Sequence, residues 1–277
     1  MKTRKRLTAI LSDGLQTEIT STLADYSVAI LRLLNGNPPR CQLLGSGTVI
    51  QRNGKFGILT ADHCLHECMP EAQLGRRRGE VFIFVLKRGG VVRINGAELS
   101  ERRLAVPSSK AFGPDLTFIE IPKARQSAFN AACSYWPMSR SVLRSIKIFG
   151  ATNTALVAAG FVDANQDIKA GKEGIHHDGL FQGFFANRRV IKRRGKWDYI
   201  GIRCNYRKAA DLPVTFQGLS GGGIWAVRLK NSVLGGIEIL DFCLVGVVFY
   251  ETPIVKRQRT IRGHFIRSIY KAAWVDA

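Results

Sequence analysis

The feature that most constrains this chain is a succession of short apolar runs cut by turn residues, with almost no helical periodicity between them. Residues 26–34 end at Asn35-Gly36-Asn37-Pro38-Pro39, a strong breaker. Runs at 48–51 and 56–60 flank Arg52-Asn53-Gly54-Lys55, a hairpin signal. Further strands are expected at 81–86, 91–94, 116–121, 146–149, 156–162, 180–185, 198–204, 223–227 and 244–250. About ten short strands of this kind read as an all-β sandwich or barrel. Only the ends depart from the pattern. Leu7, Ile10, Leu11, Leu15, Ile19 and Leu23 recur at helical steps despite Gly14, and Phe265, Ile266, Ile269, Tyr270, Ala273 and Trp274 do so at the other end. The polar stretch 163–172 reads as a long loop. A boundary near Gly150 divides the chain into an N-terminal helical extension (1–25), a first β unit (26–150) and a second β unit with its terminal helix (151–277).

Composition closes off several other classes. With 277 residues the chain can bury a core without staples, and six cysteines are too sparse for a disulfide scaffold. A 45% hydrophobic and 22% charged chain excludes wholesale disorder, collagen and coiled coil. The basic start, Met1-Lys2-Thr3-Arg4-Lys5-Arg6, is followed by an apolar run of only 7–11, which Ser12, Asp13 and Gly14 interrupt. No secretory leader is therefore expected. No stretch reaches the ~18 apolar residues of a membrane span. A cytoplasmic protein with mostly free thiols is the simplest reading. The formal net charge of +20 implies attraction to something acidic but says nothing about fold. Basic clusters stand at Arg76-Arg77-Arg78, 188–196 and 256–262, with Trp197 and Tyr199 beside the second. They suit a solvated basic surface, an acidic protein partner or nucleic acid. No nucleic-acid-binding motif supports the last.

Three segments carry chemistry, in order. The first is Gly45-Ser46-Gly47-Thr48-Val49-Ile50, leading through the hairpin to Ile58-Leu59-Thr60-Ala61-Asp62-His63-Cys64. The second is Gly113-Pro114-Asp115-Leu116-Thr117-Phe118-Ile119, and the third Gly218-Leu219-Ser220-Gly221-Gly222-Gly223-Ile224-Trp225. In motif and order they resemble the chymotrypsin-like (trypsin-like) serine peptidases, from about Tyr26 to the C-terminal helix. That resemblance implies two six-stranded-type β-barrels flanked here by an N-terminal and a C-terminal helix. It also implies a serine endopeptidase acting on a protein or peptide substrate through His63, Asp115 and Ser220. The N–H groups of Gly218 and Ser220 would form the oxyanion hole, and no metal or cofactor is required.

The residue types suit that chemistry. A serine hydroxyl needs an adjacent base to take its proton, and imidazole titrates near the operating pH. A buried carboxylate fixes the tautomer and stabilises the imidazolium. Glycines around Ser220 let backbone N–H groups converge on one point. Singly, each motif has a plainer explanation: a hydrogen-bonded structural His, a turn entering a strand, a flexible glycine loop. The ordered conjunction is what selects the triad. His63-Cys64-x-His66-x-Cys68 also has the composition of a zinc cluster, but no second Cys-x-x-Cys pair completes a site.

The resemblance carries departures. The family's frequent disulfide beside the catalytic His would pair Cys64 with the position of Gly45. Cys41 is four residues off, so Cys64 is expected to be a free, buried thiol. Val214 stands where Arg/Lys-cleaving members place an acid at the base of S1, beside the small polar Thr215. Phe249 stands where a Ser usually helps hold the Asp, and Glu251 where Gly usually leaves the pocket open. A small or apolar S1 preference is expected, with Glu251 at the mouth as an alternative attractor of a basic side chain. Leu219 replaces the Asp that pairs with a freed N-terminal amine in secreted members. It is expected to pack into the core, and the oxyanion loop to order without N-terminal processing. Two readings compete with hydrolysis: a degenerate peptidase fold that binds an acidic protein through its basic surface, and a nucleic-acid binder.

Overall fold

A computed structural model describes residues 11–34, 40–66, 80–106, 113–151, 153–171, 174–186, 189–205, 212–232 and 236–275. It is built on two antiparallel β sheets with few helices, the two-unit β architecture expected of a chymotrypsin-like fold. Helix α1 (Asp13–Ala24) comes first. The first sheet contains β1 (Ser27–Leu34), β2 (Arg40–Arg52), β3 (Lys55–Thr60), β4 (Val81–Val85), β5 (Val91–Asn95), β6 (Ser100–Ala105) and β7 (Leu116–Glu120). The four-residue helix α2 (His63–His66) follows β3, and α3 (Gln126–Ala132) follows β7. The order across this sheet is β5-β4-β1-β2-β3-β7-β6, and the short β8 (Trp136–Pro137) pairs in parallel with β2. Helix α4 (Met138–Gly150) leads to the second sheet, formed by β9 (Thr154–Gly171), β10 (Gly174–Ala186), β11 (Arg189–Arg194), β12 (Trp197–Asn205), β13 (Gly223–Asn231), β14 (Ile237–Glu251) and β15 (Gln258–His264). Its order is β10-β9-β13-β14-β15-β12-β11. Helix α5 (Ile266–Tyr270) and a 3₁₀ turn, Ala272–Trp274, end the described chain. Among the described residues the sheets hold eight and seven strands, where six-stranded-type units were expected.

The period of two explains why these segments are strands. In β1, Val28 and Ile30 pack with Val49, Ile58, Phe82 and Phe84, while Ala29 and Leu31 pack on the other face with Ile83, Val85 and Phe161. Both faces are dry, which is why the run reads as continuously apolar. The β2–β3 turn places Asn53 and Gly54 at φ 49° and 77°, the left-handed pair that a two-residue hairpin requires. At the start, the Ser12 hydroxyl accepts from Leu15 N (3.3 Å) and caps α1, whose Leu15, Ile19 and Leu23 are buried. Leu7 and Ile10 lie outside the described residues.

Two expectations fail. Residues 146–149 are helical, not a strand. The buried positions in and around them, Met138, Ser145, Ile148 and Phe149, follow helical spacing, while Leu143 and Ile146 are exposed at 78% and 54%. A four-residue apolar run concealed that longer period. The polar stretch 163–172, expected as a loop, continues β9 to Gly171 and pairs with β10 from Gly174 onward. A backbone ladder needs no apolar pattern to form.

Candidate active site

β3 delivers Thr60, Ala61 and Asp62 to the start of α2, where His63 stands. The Thr60 hydroxyl donates to Ser46 O (2.7 Å), and the turn closes through Cys64 N to Ala61 O (3.2 Å) and His66 N to Asp62 O (3.1 Å). Asp115, one residue ahead of β7, is 1% exposed and meets His63 twice. The His63 N–H donates to Oδ1 (3.0 Å), and Nδ1 lies 2.6 Å from Oδ2. With Nδ1–H donating to the carboxylate, Nε2 presents its lone pair.

Asp115 is held from behind by a residue the sequence reading missed. The ring of His264, at the end of β15, lies fully buried with Nε2 3.0 Å from both the N and the O of Asp115. Phe249, Tyr199 and Trp197 surround it at centroid distances of 5.0, 5.5 and 5.7 Å. Burial drives its pKa down to about 4, outweighing the attraction of Asp115 and Asp198, so the ring is neutral at ordinary pH. Phe249 does not take over the role of the Ser it replaces. It packs with Ala61 and Cys64 against His264.

A second cluster anchors the turn from the other side. Asp62, 1% exposed, accepts from Arg103 Nε (2.9 Å) and Nη2 (2.7 Å) and from the Thr117 hydroxyl (2.5 Å). His66 Nδ1 lies 2.9 Å from Asp62 Oδ1, and its Nε2 lies 3.3 Å from Glu101. Burial favours protonated Asp62, but hydrogen bonds from His66, Arg103 and Thr117 outweigh it and hold the pKa near 2. Burial likewise opposes the His66 charge, yet its two acidic partners raise its pKa to about 9. Three candidate zinc ligands are therefore engaged elsewhere: His63 with Asp115, His66 with Asp62 and Glu101, and Cys64 Sγ donating to Ser220 O (3.4 Å). Cys68 lies outside the described residues. Among the described residues no group of His, Cys, Asp and Glu has the arrangement of a metal site.

Ser220 precedes β13 on a loop shaped by backbone contacts. Leu219 N donates to Phe216 O (2.9 Å), Gly222 N to Leu219 O (2.9 Å) and Gly221 N to Val248 O (2.8 Å). Gly218 and Gly221 have φ of 90° and 85°, conformations that L side chains rarely adopt. A Cβ at Gly221 would run into Ser46 O and Thr60 Oγ1. Leu219 is wholly buried in the core, as expected. Among the described residues, the N–H groups of Gly218 and Ser220 have no intramolecular acceptor. Cys64 is buried and forms no disulfide, also as expected; a Cβ on Gly45 would stand 2.5 Å from its Sγ.

His63 and Ser220 line one cavity of about 250 Å³, without a hydrogen bond between them. Such contacts are often loose in unliganded sites and tighten with substrate. The cavity's remaining walls include Thr215, Phe216, Val248, Phe249, Tyr250, Glu251 and Ile261. Of the four expected S1 residues, Thr215, Phe249 and Glu251 are there. Val214 is not: it is 79% exposed, and its carbonyl accepts from Arg259 Nη1 (2.7 Å). Glu251 is not free to attract a basic side chain. It accepts from Thr215 Oγ1 (2.8 Å) and Phe216 N (2.9 Å), and pairs with Arg259 Nη1 at 2.6 Å. β15 runs antiparallel beside β14, with Ile261 opposite Glu251, and so brings Arg259 within reach.

No protein-family model matches the chain, and no curated protein does. Solved structures similar to it include a chain from work on how aromatic interactions drive the coupled folding and binding of the intrinsically disordered Sesbania mosaic virus VPg protein. The identity is 13%, covering 89% of this chain and 88% of that one, with a TM-score of 0.44. Another is the tobacco vein mottling virus protease, at 10% identity over 93% of this chain and 84% of that one, with a TM-score of 0.42. No helix among the described residues is long and apolar enough to cross a membrane.

Proposed function

We propose that this chain is a serine endopeptidase that hydrolyses peptide bonds of a protein substrate. The observation that carries the reading is the 2.6 Å contact of His63 Nδ1 with buried Asp115, on the cavity that Ser220 shares. In this mechanism His63 Nε2 takes the Ser220 proton as Oγ attacks the scissile carbonyl carbon. Asp115 fixes the tautomer and stabilises the imidazolium. The open N–H groups of Gly218 and Ser220 receive the oxyanion, a device in which one donor is typically worth about 10²–10³ in kcat. His63 then delivers its proton to the leaving amine, and water repeats the cycle on the acyl-enzyme. With the Glu251 charge paired to Arg259, and aromatic and aliphatic walls, the cavity suits a small or apolar side chain before the cleaved bond. The buried Leu219 offers no partner to an inserted ammonium, so activity requires no N-terminal trimming.

Covalent labelling by a fluorophosphonate probe tests the reading. Wild-type protein should label and cleave peptides, and Ser220→Ala should lose both, with turnover down by about 10⁴–10⁶. Unlabelled, properly folded wild type would sink it. A second reading, a degenerate peptidase fold that only binds, is motivated by Phe249 and Glu251 on the cavity wall. Unimpaired partner binding by Ser220→Ala, together with no turnover by wild type on a broad peptide library, would establish that reading instead.

A further inference from the structure

We propose that the sheet face running from the cavity across β15, β12 and β11 is a docking strip for acidic residues of the substrate. This rests on the hydrolase reading above and names the substrate class. The register defines the strip. Tyr250, on the cavity wall, stands opposite Arg262 of β15; Arg262 stands opposite Gly201 of β12, and Gly201 opposite Val190 of β11. Residues directly opposite in antiparallel strands project to the same face. The row therefore leads outward from the candidate active site.

Its neighbours on that face lie two residues along each strand. On one side Lys192 stands opposite Tyr199, and Arg194 opposite Trp197; on the other, Arg203 stands opposite Thr260. Lys192, Arg194 and Arg203 are exposed, and the Arg262 guanidinium lies 5.5 Å from the Tyr250 ring centroid. No Asp or Glu occupies any of these positions. Glu251, next to Tyr250 in β14, is paired with Arg259. Gly201 leaves the middle of the row without a side chain of its own, and the Thr260 methyl group leans over it, 3.1 Å from where a Cβ would stand.

The dimensions suit a peptide. Three inter-strand gaps of ~4.8 Å span about 14 Å, the length of roughly four extended residues. A segment bound with its reacting carbonyl at Ser220 could lay its flanking residues along this row. Tyr199 and Tyr250 supply apolar contact beside the charges, and exposed Val190, at 44%, closes the far end. The same chemistry attracts a nucleic-acid backbone. Continuity with the cavity favours a peptide.

The test separates docking from hydrolysis by using Ser220→Ala. A fluorescent Glu-Ala repeat peptide is compared with its Gln-Ala counterpart by anisotropy, at ~50 mM and ~500 mM salt. The acidic peptide should bind about tenfold more tightly at low salt, and the gap should shrink at high salt. Lys192→Ser/Arg203→Ser/Arg262→Ser should abolish the gap, and Lys192→Arg/Arg203→Lys/Arg262→Lys should restore it. If the triple serine variant melts early, Lys192→Ser alone at the exposed edge should narrow the gap two- to threefold. Equal binding of the two peptides, or a gap that survives these changes, overturns the proposal. So does a single-stranded oligonucleotide that outcompetes the acidic peptide and loses binding in the same variants. Fluorophosphonate labelling of wild type reports separately on hydrolysis, so failure of either reading is recognisable on its own.

Discussion

The His63–Asp115 half of the candidate site and its Ser220 half are built by different means. His63 and Asp115 are held by side chains: Asp62, Arg103, Thr117 and His66 on one flank, His264 behind. Ser220 is held mostly by backbone hydrogen bonds, joined by the Ser46 hydroxyl and the Cys64 thiol, and by the absence of side chains at Gly218, Gly221 and Gly45. The first half fails when a group is removed, the second when an atom is added. Charge explains the difference. In the proposed mechanism the imidazole has to gain and lose a proton without turning, which calls for fixed partners, whereas the oxyanion N–H groups have to stay unpaired and close to substrate.

The largest expected effect tests the first half. Asp115→Asn keeps the shape but can stabilise the wrong His63 tautomer, so turnover should fall by about 10⁴ with little change in KM. A loss of only a fewfold would show that Asp115 has no such role. Gly221→Ala probes the second half. The added methyl meets two oxygens at a left-handed backbone position, and a stability loss of ~3 kcal/mol or more is expected in denaturant melts. A near-neutral result would break the comparison.

Asp62→Asn should cost ~2 kcal/mol by weakening the bonds to Arg103 and His66. It also changes the pH dependence. The raised His66 pKa contributes stability that is full below its unfolded value near 6.5 and is lost as pH rises through about 9. The lowered His264 pKa acts in the opposite direction: its contribution is full above 6.5 and is lost as pH falls towards about 4. Thermal melts of wild type should therefore weaken on both sides of neutrality. Asp62→Asn should flatten the alkaline limb, spare the His264 limb between 6.5 and about 4, and remove the further loss below about 4 that the depressed Asp62 pKa adds; an unchanged alkaline limb would exclude the His66 contribution. The smallest effect is none at all. A tag blocking Met1, verified intact by mass spectrometry, should leave fluorophosphonate labelling unchanged, and dependence on trimming would refute the role given to Leu219.

What was legible in the sequence follows the same division. His63, Asp115 and Ser220 sit in local motifs, and strands such as β1 and β13 bury enough apolar surface to declare themselves. His264 is 149 residues from Asp115, and Arg103 is 41 from Asp62, so only the folded register brings them together. β11, with exposed Arg and Lys on both faces, carries no strand signal in its pattern, although its ladder with β12 is complete. α4 hid behind a short apolar run, and Glu251 looked free because Arg259 arrives on a neighbouring strand.

Ser46 belongs to β2 of the first sheet, yet its N–H donates to Ser220 O (2.7 Å) and its hydroxyl to Gly218 O (2.8 Å), while Phe161 N donates to that hydroxyl (2.8 Å). Phe161 is part of β9, in the second sheet. One small side chain thus ties both sheets to the Ser220 loop. In cooperative terms, β2 cannot open while the serine loop stays closed. Amide protons of Ser46 and Phe161 should therefore exchange with solvent in one concerted step, as members of a single unfolding unit that crosses the boundary between the sheets.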